Sequence, residues 1–147
     1  MILPNIETFI GCESSFEEAS IVLYGAPFDS TTSFRPGARF GPSAMRHESF
    51  GLETYSPYQD KDLMDINVFD SGDLELCFGS SEIALSDIQK RAEEILKAGK
   101  FPLLLGGEHL VTLGAVRAAA AKYPGLQVLS YCSPLLWHTQ YNPGSLL

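Results

Sequence analysis

The segment Leu105-Gly-Gly-Glu-His-Leu110 contains the side chains that are best suited to chemistry. It follows an apolar run, and its two glycines allow the backbone to turn sharply because neither carries a Cβ atom. Such a turn would deliver Glu108 and His109 to the end of a strand, where an imidazole is a good ligand for a transition metal. On local grounds alone, a structural or solvated histidine is the more common outcome, and a metal ligand is the alternative.

Two further segments hold charged residues in turn-forming surroundings. In Ser33-Phe-Arg-Pro-Gly-Ala-Arg-Phe-Gly-Pro42, Arg35 and Arg39 stand among prolines and glycines that stiffen and bend a loop. This segment is either a surface loop whose arginines pair with acids or a rigid wall near an active site or subunit contact. Asp70-Ser-Gly-Asp73 also follows an apolar run. Its carboxylates are typical of a turn, and binding of a metal or another cation is the alternative.

Short apolar runs that predict β-strands cover residues 21–24, 66–69, 102–105 and 126–129. Helical patterns alternate with these runs. A short helix is predicted from Gly41-Pro42 towards Leu52, because proline suits a first helical turn. The second helix has Ser80 or Ser81 as N-cap and Gly99 after its last turn. Its apolar positions are Ile83, Leu85, Ile88, Ala92, Ile95 and Leu96, and those of a third helix are Leu110, Leu113, Val116 and Ala120.

The alternation of strands and helices predicts the α/β class, with βαβ units and a parallel sheet covered on both faces. The strands are almost continuously apolar, which fits burial on both faces better than an alternating pattern would. Ligands of such sheets bind beyond the carboxyl ends of the strands. Three of the four predicted strands end there in a turn that contains glycine or an acid.

The charge and the hydropathy of the chain indicate which kinds of binding partner and which cellular location to expect. Eighteen acidic and ten basic residues give a net charge of −8, which argues against nucleic acid and slightly favours a small cationic substrate. The apolar runs are too short to cross a bilayer, and no secretory signal is visible, so we expect a cytoplasmic protein. The cysteines, Cys12, Cys77 and Cys132, form no CxxC pair and are expected to be reduced.

Five segments taken together resemble, in order and spacing, the agmatinase branch of the arginase/ureohydrolase family. They are Tyr24-Gly-Ala-Pro-Phe-Asp29, Ser33-Phe-Arg-Pro-Gly-Ala-Arg-Phe-Gly-Pro42, Gly51-Leu-Glu-Thr-Tyr-Ser-Pro57, Asp70-Ser-Gly-Asp73 and Leu105-Gly-Gly-Glu-His109. The resemblance implies a three-layer α/β/α fold with two manganese ions at the strand ends. It also implies hydrolysis of agmatine to putrescine and urea. His109 matches the family's first histidine ligand, and Glu108 stands where many members have aspartate.

The resemblance stops after residue 129. Family members continue with an aspartate, a histidine and a second aspartate at alternate positions, where this chain has Cys132, Pro134 and Leu136. Proline and leucine have no side-chain donor, and cysteine suits zinc better than manganese. We therefore expect residues 1–129 to form the amino-terminal part of a ureohydrolase domain, truncated after about four strands, and residues 130–147 to be a divergent tail. A frameshift or premature stop is our hypothesis for the abrupt change.

The resemblance thus predicts an agmatinase-like hydrolase by family, whose substrate is a small guanidino compound and whose intact members are homo-oligomers. For this chain we expect no activity by itself, no catalytic or cofactor-binding residue, His109 as the remaining metal ligand, and poor solubility from an exposed sheet edge. One alternative is hydrolysis of guanidinobutyrate or another guanidino compound. Another is a non-catalytic protein that binds a full-length ureohydrolase. A third is a mononuclear zinc site made of Cys132 and His109, with or without His138.

Overall fold

The computed structural model describes residues 5–131. Its elements are β1 (Ile21–Ala26), α1 (Gly41–Ser49), β2 (Tyr55–Ser56), β3 (Lys61–Asp62), β4 (Val68–Asp73), α2 (Ser81–Lys97), β5 (Phe101–Gly106) and α3 (Val111–Lys122). Single turns of 3-10 helix at Ala38–Phe40 and Leu63–Asp65 precede α1 and β4. Within this part of the chain, no helix is both long enough and apolar enough to span a membrane.

The main sheet has β1 in the middle, with β4 on one side and β5 on the other, and both neighbours run parallel to it. In the register of the sheet, Gly25 lies beside Asp73, and Ala26 lies beside Gly106. The carboxyl ends of all three strands therefore meet at one edge. The short strands β2 and β3 form a separate antiparallel hairpin.

Both faces of β1 are buried, which explains its unbroken apolar sequence. Val22, Tyr24 and Ala26 point into the larger core, which α2 and α3 cover. Leu23 points to the opposite face and packs in a smaller cluster with Cys12. The predicted α/β class with a parallel sheet is confirmed.

The second predicted helix is confirmed as α2. The hydroxyl oxygen of Ser80 accepts a hydrogen bond from the amide of Ile83 at 3.3 Å, and Gly99 has the positive φ of 76° that follows many helices. The buried face of α2 consists of Ala84, Leu85, Ile88, Ala92, Ile95 and Leu96. Ile83 is the predicted apolar position that remains exposed.

The third predicted helix forms, but it buries a different face from the one predicted. The buried residues of α3 are Val111, Gly114 and Ala118, whereas Leu113 and Val116 are only half-buried. Gly114 explains the choice of face, since a Cβ atom at this position would lie 2.9 Å from Cβ of Ile88. The absence of a side chain lets α3 approach α2 closely, and the larger apolar residues of α3 lie to the sides.

Two predictions about strands are wrong. Asp70-Ser-Gly-Asp73 is not a turn but belongs to β4, where Asp70 lies beside Leu23 of β1. Residues 126–129 were predicted to be a strand, and they are instead irregular and exposed. A parallel strand needs a hydrogen-bonding neighbour, and no strand among residues 5–131 lies beside this segment.

We expect Ile88→Ala to destabilise the chain by about 2–5 kcal/mol, because truncation of a buried isoleucine loses apolar burial and leaves a cavity. Ile88 is fully buried between the sheet and α3, and a urea titration of the unfolding free energy measures the loss. The matched control is Ile83→Ala on the same helix, whose side chain is 52% exposed. Equal losses in the two variants would contradict the packing of α2 described above.

Candidate functional site

The turn after β5 is fastened to the chain segment that leaves β1. The amide of Gly107 donates to the carbonyl of Ala26 at 3.0 Å, and the amide of Glu108 donates to the carbonyl of Phe28 at 2.8 Å. A Cβ atom on residue 107 would lie 2.2 Å from the Phe28 carbonyl oxygen, so only glycine fits here. The two glycines therefore form the turn and also allow the ends of β1 and β5 to approach each other closely.

This turn places Glu108 and His109 where the sequence predicted them, beyond the carboxyl end of β5. Glu108 is half-buried, and its Oε1 atom accepts a hydrogen bond from the Thr31 hydroxyl at 2.5 Å. His109 is exposed, and its carbonyl oxygen accepts from the amide of Thr112 in the first turn of α3. The main chain of His109 is thus held at the start of a helix, at the edge of the sheet where ligands bind in this class of fold.

Asp29, which follows β1 closely, is buried and forms the centre of the adjoining loop. Its Oδ2 atom accepts hydrogen bonds from the amides of Gly37, at 2.6 Å, and Arg39, at 3.3 Å. The Nε atom of Arg39 lies 3.0 Å from its Oδ1 atom. Burial by itself would raise the pKa of the Asp29 carboxyl, but the two amides and the guanidinium outweigh burial and hold the pKa below its usual value.

Arg39 also joins this loop to a pair of stacked aromatic rings. Its guanidinium lies 5.3 Å from the centre of the Phe78 ring, and that ring stacks on Phe28 with centroids 6.0 Å apart. Arg39 therefore pairs with an acid, as a loop arginine commonly does, and also covers the ring of Phe78. Arg35 has a different position: it is exposed, with a positive φ of 52°.

A second charge cluster lies between α1 and β4, with Arg46 and Asp70 buried and Asp73 partly exposed. The guanidinium of Arg46 forms two hydrogen bonds with the Asp70 carboxylate, at 2.8 and 2.9 Å, and one with Asp73 at 2.5 Å. Asp70 also accepts hydrogen bonds from the amides of Phe9 and Gly72. Burial would lower the pKa of Arg46, but these hydrogen bonds outweigh burial and raise it. The carboxylates of the predicted turn are thus paired with Arg46, which links α1 to β4.

Arg46 was missed by the sequence analysis, although two features point to it. The acids of β4 require a cation if they are buried in a sheet, and α1 brings a single arginine close to the strand ends. The sequence analysis named Asp29 only as the last residue of the Tyr24-Gly-Ala-Pro-Phe-Asp29 segment. Gly25 leaves room for the Arg46 cluster, since a Cβ atom there would lie 1.9 Å from Oδ1 of Asp73.

The arrangement of donors tests whether this part of the chain can hold a metal by itself. Among residues 5–131, no group of three histidine, cysteine, aspartate or glutamate side chains converges on a point. Asp29, Asp70 and Asp73 are paired with arginines. The described residues therefore do not form a two-ion centre by themselves.

Two predictions concern positions outside the described residues. The predicted loss of metal ligands and the alternative zinc site involve Cys132, Pro134, Leu136 and His138.

A cavity of about 470 Å³ lies away from this turn. Its lining includes Thr8, Cys12, Phe69 and Asp70, but not Asp29, Glu108 or His109. Burial raises the pKa of the Cys12 thiol to about 11, with a smaller contribution from Asp70, so this cysteine is largely protonated at neutral pH. The cavity adds no donor to the edge of the sheet where His109 lies.

Comparison with known proteins gives a consistent picture. The model of the arginase family matches residues 19–133. The agmatinase of Bacillus subtilis is 48% identical over 125 residues, which cover 85% of this chain and 43% of that protein. The structure of the agmatine ureohydrolase of Thermoplasma volcanium is 33% identical with a TM-score of 0.73, covering 78% of this chain and 39% of that one. The formiminoglutamase of Trypanosoma cruzi with Mn²⁺ is 26% identical with a TM-score of 0.67, covering 77% and 39%. This chain spans about two fifths of the length of these relatives.

We expect Arg46→Met to lower the free energy of unfolding by about 3–5 kcal/mol, because it leaves the buried Asp70 without its partner. Methionine keeps most of the apolar stem, so the loss reports the charge and its hydrogen bonds. Arg117→Met is the matched control, since Arg117 is exposed on α3. Chemical denaturation of both variants at neutral pH measures the effect, and similar small losses would show that the cluster is not required.

Asp29→Asn is expected to have a pH-dependent cost. Because the pKa of folded Asp29 lies below its ordinary value of 3.8, the ionised carboxylate stabilises the folded chain above that pH. This stability is lost as the pH falls through the folded pKa. The difference in unfolding free energy between the unaltered chain and Asp29→Asn should therefore be constant above pH ~5 and shrink on acidification. Urea titrations measure it, with exposed Asp65→Asn as the control. A difference that grows in acid would contradict the assignment.

Proposed function

Because the chain belongs to the arginase family, we propose that it is the amino-terminal part of an agmatinase-type ureohydrolase. The reaction is hydrolysis of the guanidinium group of agmatine to putrescine and urea. The observation that carries the proposal is the Gly106-Gly-Glu-His109 turn, fastened across the strand ends to β1, in a chain 48% identical to an agmatinase. Residues 1–129 supply this part of the domain, and residues 130–147 are a divergent tail.

His109 is the residue that we assign to the metal. Its place beyond the carboxyl end of β5 supports this role, since the ligands of such sheets bind there. Manganese is the proposed ion, and it would supply a water of lowered pKa for attack on the guanidinium carbon. The other donors must come from outside residues 5–131, because no set of three converges within them.

Agmatine is preferred as the substrate over other guanidino compounds because the agmatinase similarity extends over 85% of this chain. The net charge of −8 is also compatible with a cationic substrate. Guanidinobutyrate is the alternative substrate, and it carries a carboxylate where agmatine carries an amine.

A non-catalytic role is the second candidate. Phe101 and Leu103 of β5 are 63% and 45% exposed, and among the described strands β5 pairs only with β1. An apolar strand with one unpaired edge is suited to pairing with another chain. In this role the chain binds a ureohydrolase and changes its activity, and it needs no metal centre of its own.

The test joins residues 1–129 to the complementary carboxyl-terminal part of the Bacillus subtilis agmatinase. With Mn²⁺, this chimera should release urea from agmatine at a rate of order 1–10³ s⁻¹. Loss of metal-site residues that do not touch the ion costs 10–100-fold, so His109→Ala should lower the rate by about 100-fold or more. His47→Ala is the matched control because that histidine is exposed on α1, paired with Glu7. The unaltered chain alone should release no urea above background.

The other outcomes are equally informative. Turnover of guanidinobutyrate without turnover of agmatine would select the alternative substrate. A folded chimera that hydrolyses neither compound would contradict the proposed function, and urea release by the unaltered chain would contradict its inactivity. Co-purification of the chain with full-length Bacillus subtilis agmatinase, together with an altered rate of that enzyme, would support the non-catalytic role.

A further inference from the structure

Asp29 is a buried carboxylate whose partners all lie in one loop. Its side chain is 1% exposed, and it binds two amides and one guanidinium from residues 37–39. Its carbonyl oxygen accepts from both the amide and the hydroxyl of Thr32, at 3.4 and 2.9 Å. Because this carboxylate is buried and paired with a guanidinium, it does not present itself to solvent. Its effect must pass through the backbone that it holds.

That backbone leads directly to the His109 turn. Phe28 precedes Asp29 in the chain, and its carbonyl oxygen accepts the hydrogen bond from Glu108. The ring of Phe28 stacks on Phe78, which Arg39 also covers. Residue 28 is therefore fixed from one side by its ring and from the other by the anchored residue 29.

A second connection runs through the side chain of Glu108. The turn closed by Thr32 places Thr31 so that its hydroxyl donates to the Glu108 carboxylate. Both the amide and the side chain of Glu108 are thus bound by residues that flank Asp29. The contact between residue 107 and Phe28 leaves no space for a Cβ atom, so displacement of this loop must move the turn.

We propose that Asp29 is a positioning residue for His109, acting through Phe28, Thr31 and the main chain of Glu108. Arg39 assists by neutralising the carboxylate and by covering the Phe28–Phe78 stack. The idea rests on the proposed function only in that His109 is taken as the metal ligand. The mechanical link between Asp29 and the turn can be measured without any metal.

Amide hydrogen exchange of the full chain, followed by NMR, tests the link. In Asp29→Asn, the amides of Gly107 and Glu108 should exchange about tenfold faster or more, since a charged hydrogen-bond acceptor has been lost. Exchange in α2 should change much less. Asp62→Asn is the matched control, because Asp62 also accepts a backbone amide, that of Met64 at 3.0 Å, but lies outside this loop. A uniform increase over the whole chain, or no increase at Glu108, would overturn the proposal.

If Asp29→Asn does not fold, variants at Arg39 test the same link between the Asp29 loop and the Glu108 turn. Arg39→Ala should accelerate exchange at Glu108, and Arg39→Lys should restore part of the protection because it retains a positive charge beside Asp29. Equal exchange at Glu108 in both variants and the unaltered chain would count against the link. A purely structural loss would instead raise exchange in α2 to the same extent.

Line broadening of histidine resonances by Mn²⁺ distinguishes a failure of the positioning role of Asp29 from a failure of the metal-binding role of His109. In the unaltered chain, Mn²⁺ should broaden the imidazole resonances of His109 more than those of His47, and Asp29→Asn should reduce that preference. Equal preference in the two chains would overturn the positioning role. If Mn²⁺ does not broaden His109 even in the unaltered chain, the ligand role of His109 is wrong, and amide exchange alone decides whether Asp29 positions the turn.

Discussion

The main chain at residue 107 lies against the carbonyl of Phe28 with no room for a Cβ atom, and the geometry of the site depends on this contact. It joins the exits of β1 and β5, which are neighbours in the sheet but are separated by more than seventy residues in sequence. Two backbone hydrogen bonds fix the separation of the two exits. The position of His109 is consequently determined by the segment after β1 as much as by its own strand.

Two buried charge clusters stabilise the segments around this contact. Arg39 pairs with Asp29 after β1, and Arg46 pairs with Asp70 and Asp73 at the end of β4. Asp29 and Asp70, the two buried carboxylates, gain hydrogen bonds that offset the cost of removing them from water. The same pairing engages these aspartates with arginines at the carboxyl edge of the sheet, where Asp73 remains partly exposed. Glu108 and His109 lie in the β5 turn at the same edge of the sheet, and Glu108 is itself held by the Thr31 hydroxyl.

The sequence correctly predicted those elements whose formation depends on residues that are near one another in the chain. The apolar run of β1, and the caps and spacing of α2, were sufficient because capping and amphipathic burial are properties of the segment itself. The face that α3 buries depends on Gly114 meeting Ile88, and the extension of β4 through Asp70 depends on Arg46. Residues 126–129 have strand-like composition but no neighbouring strand among residues 5–131. In each of these cases the deciding residue is distant in sequence, so periodicity could not reveal it.

The same distinction applies to the candidate site. A turn motif was enough to locate His109, because glycines and a strand end specify the position of the side chain that follows them. A metal centre needs several donors from different strands, and such convergence is a tertiary property. The relatives are about twice as long as this chain, and residues 5–131 bring no three donors together. Positioning of His109 and assembly of a complete set of metal donors are therefore separate problems. Contacts among residues 28–39 and 106–109 position the turn, so the turn can form without the convergence of donors that residues 5–131 lack.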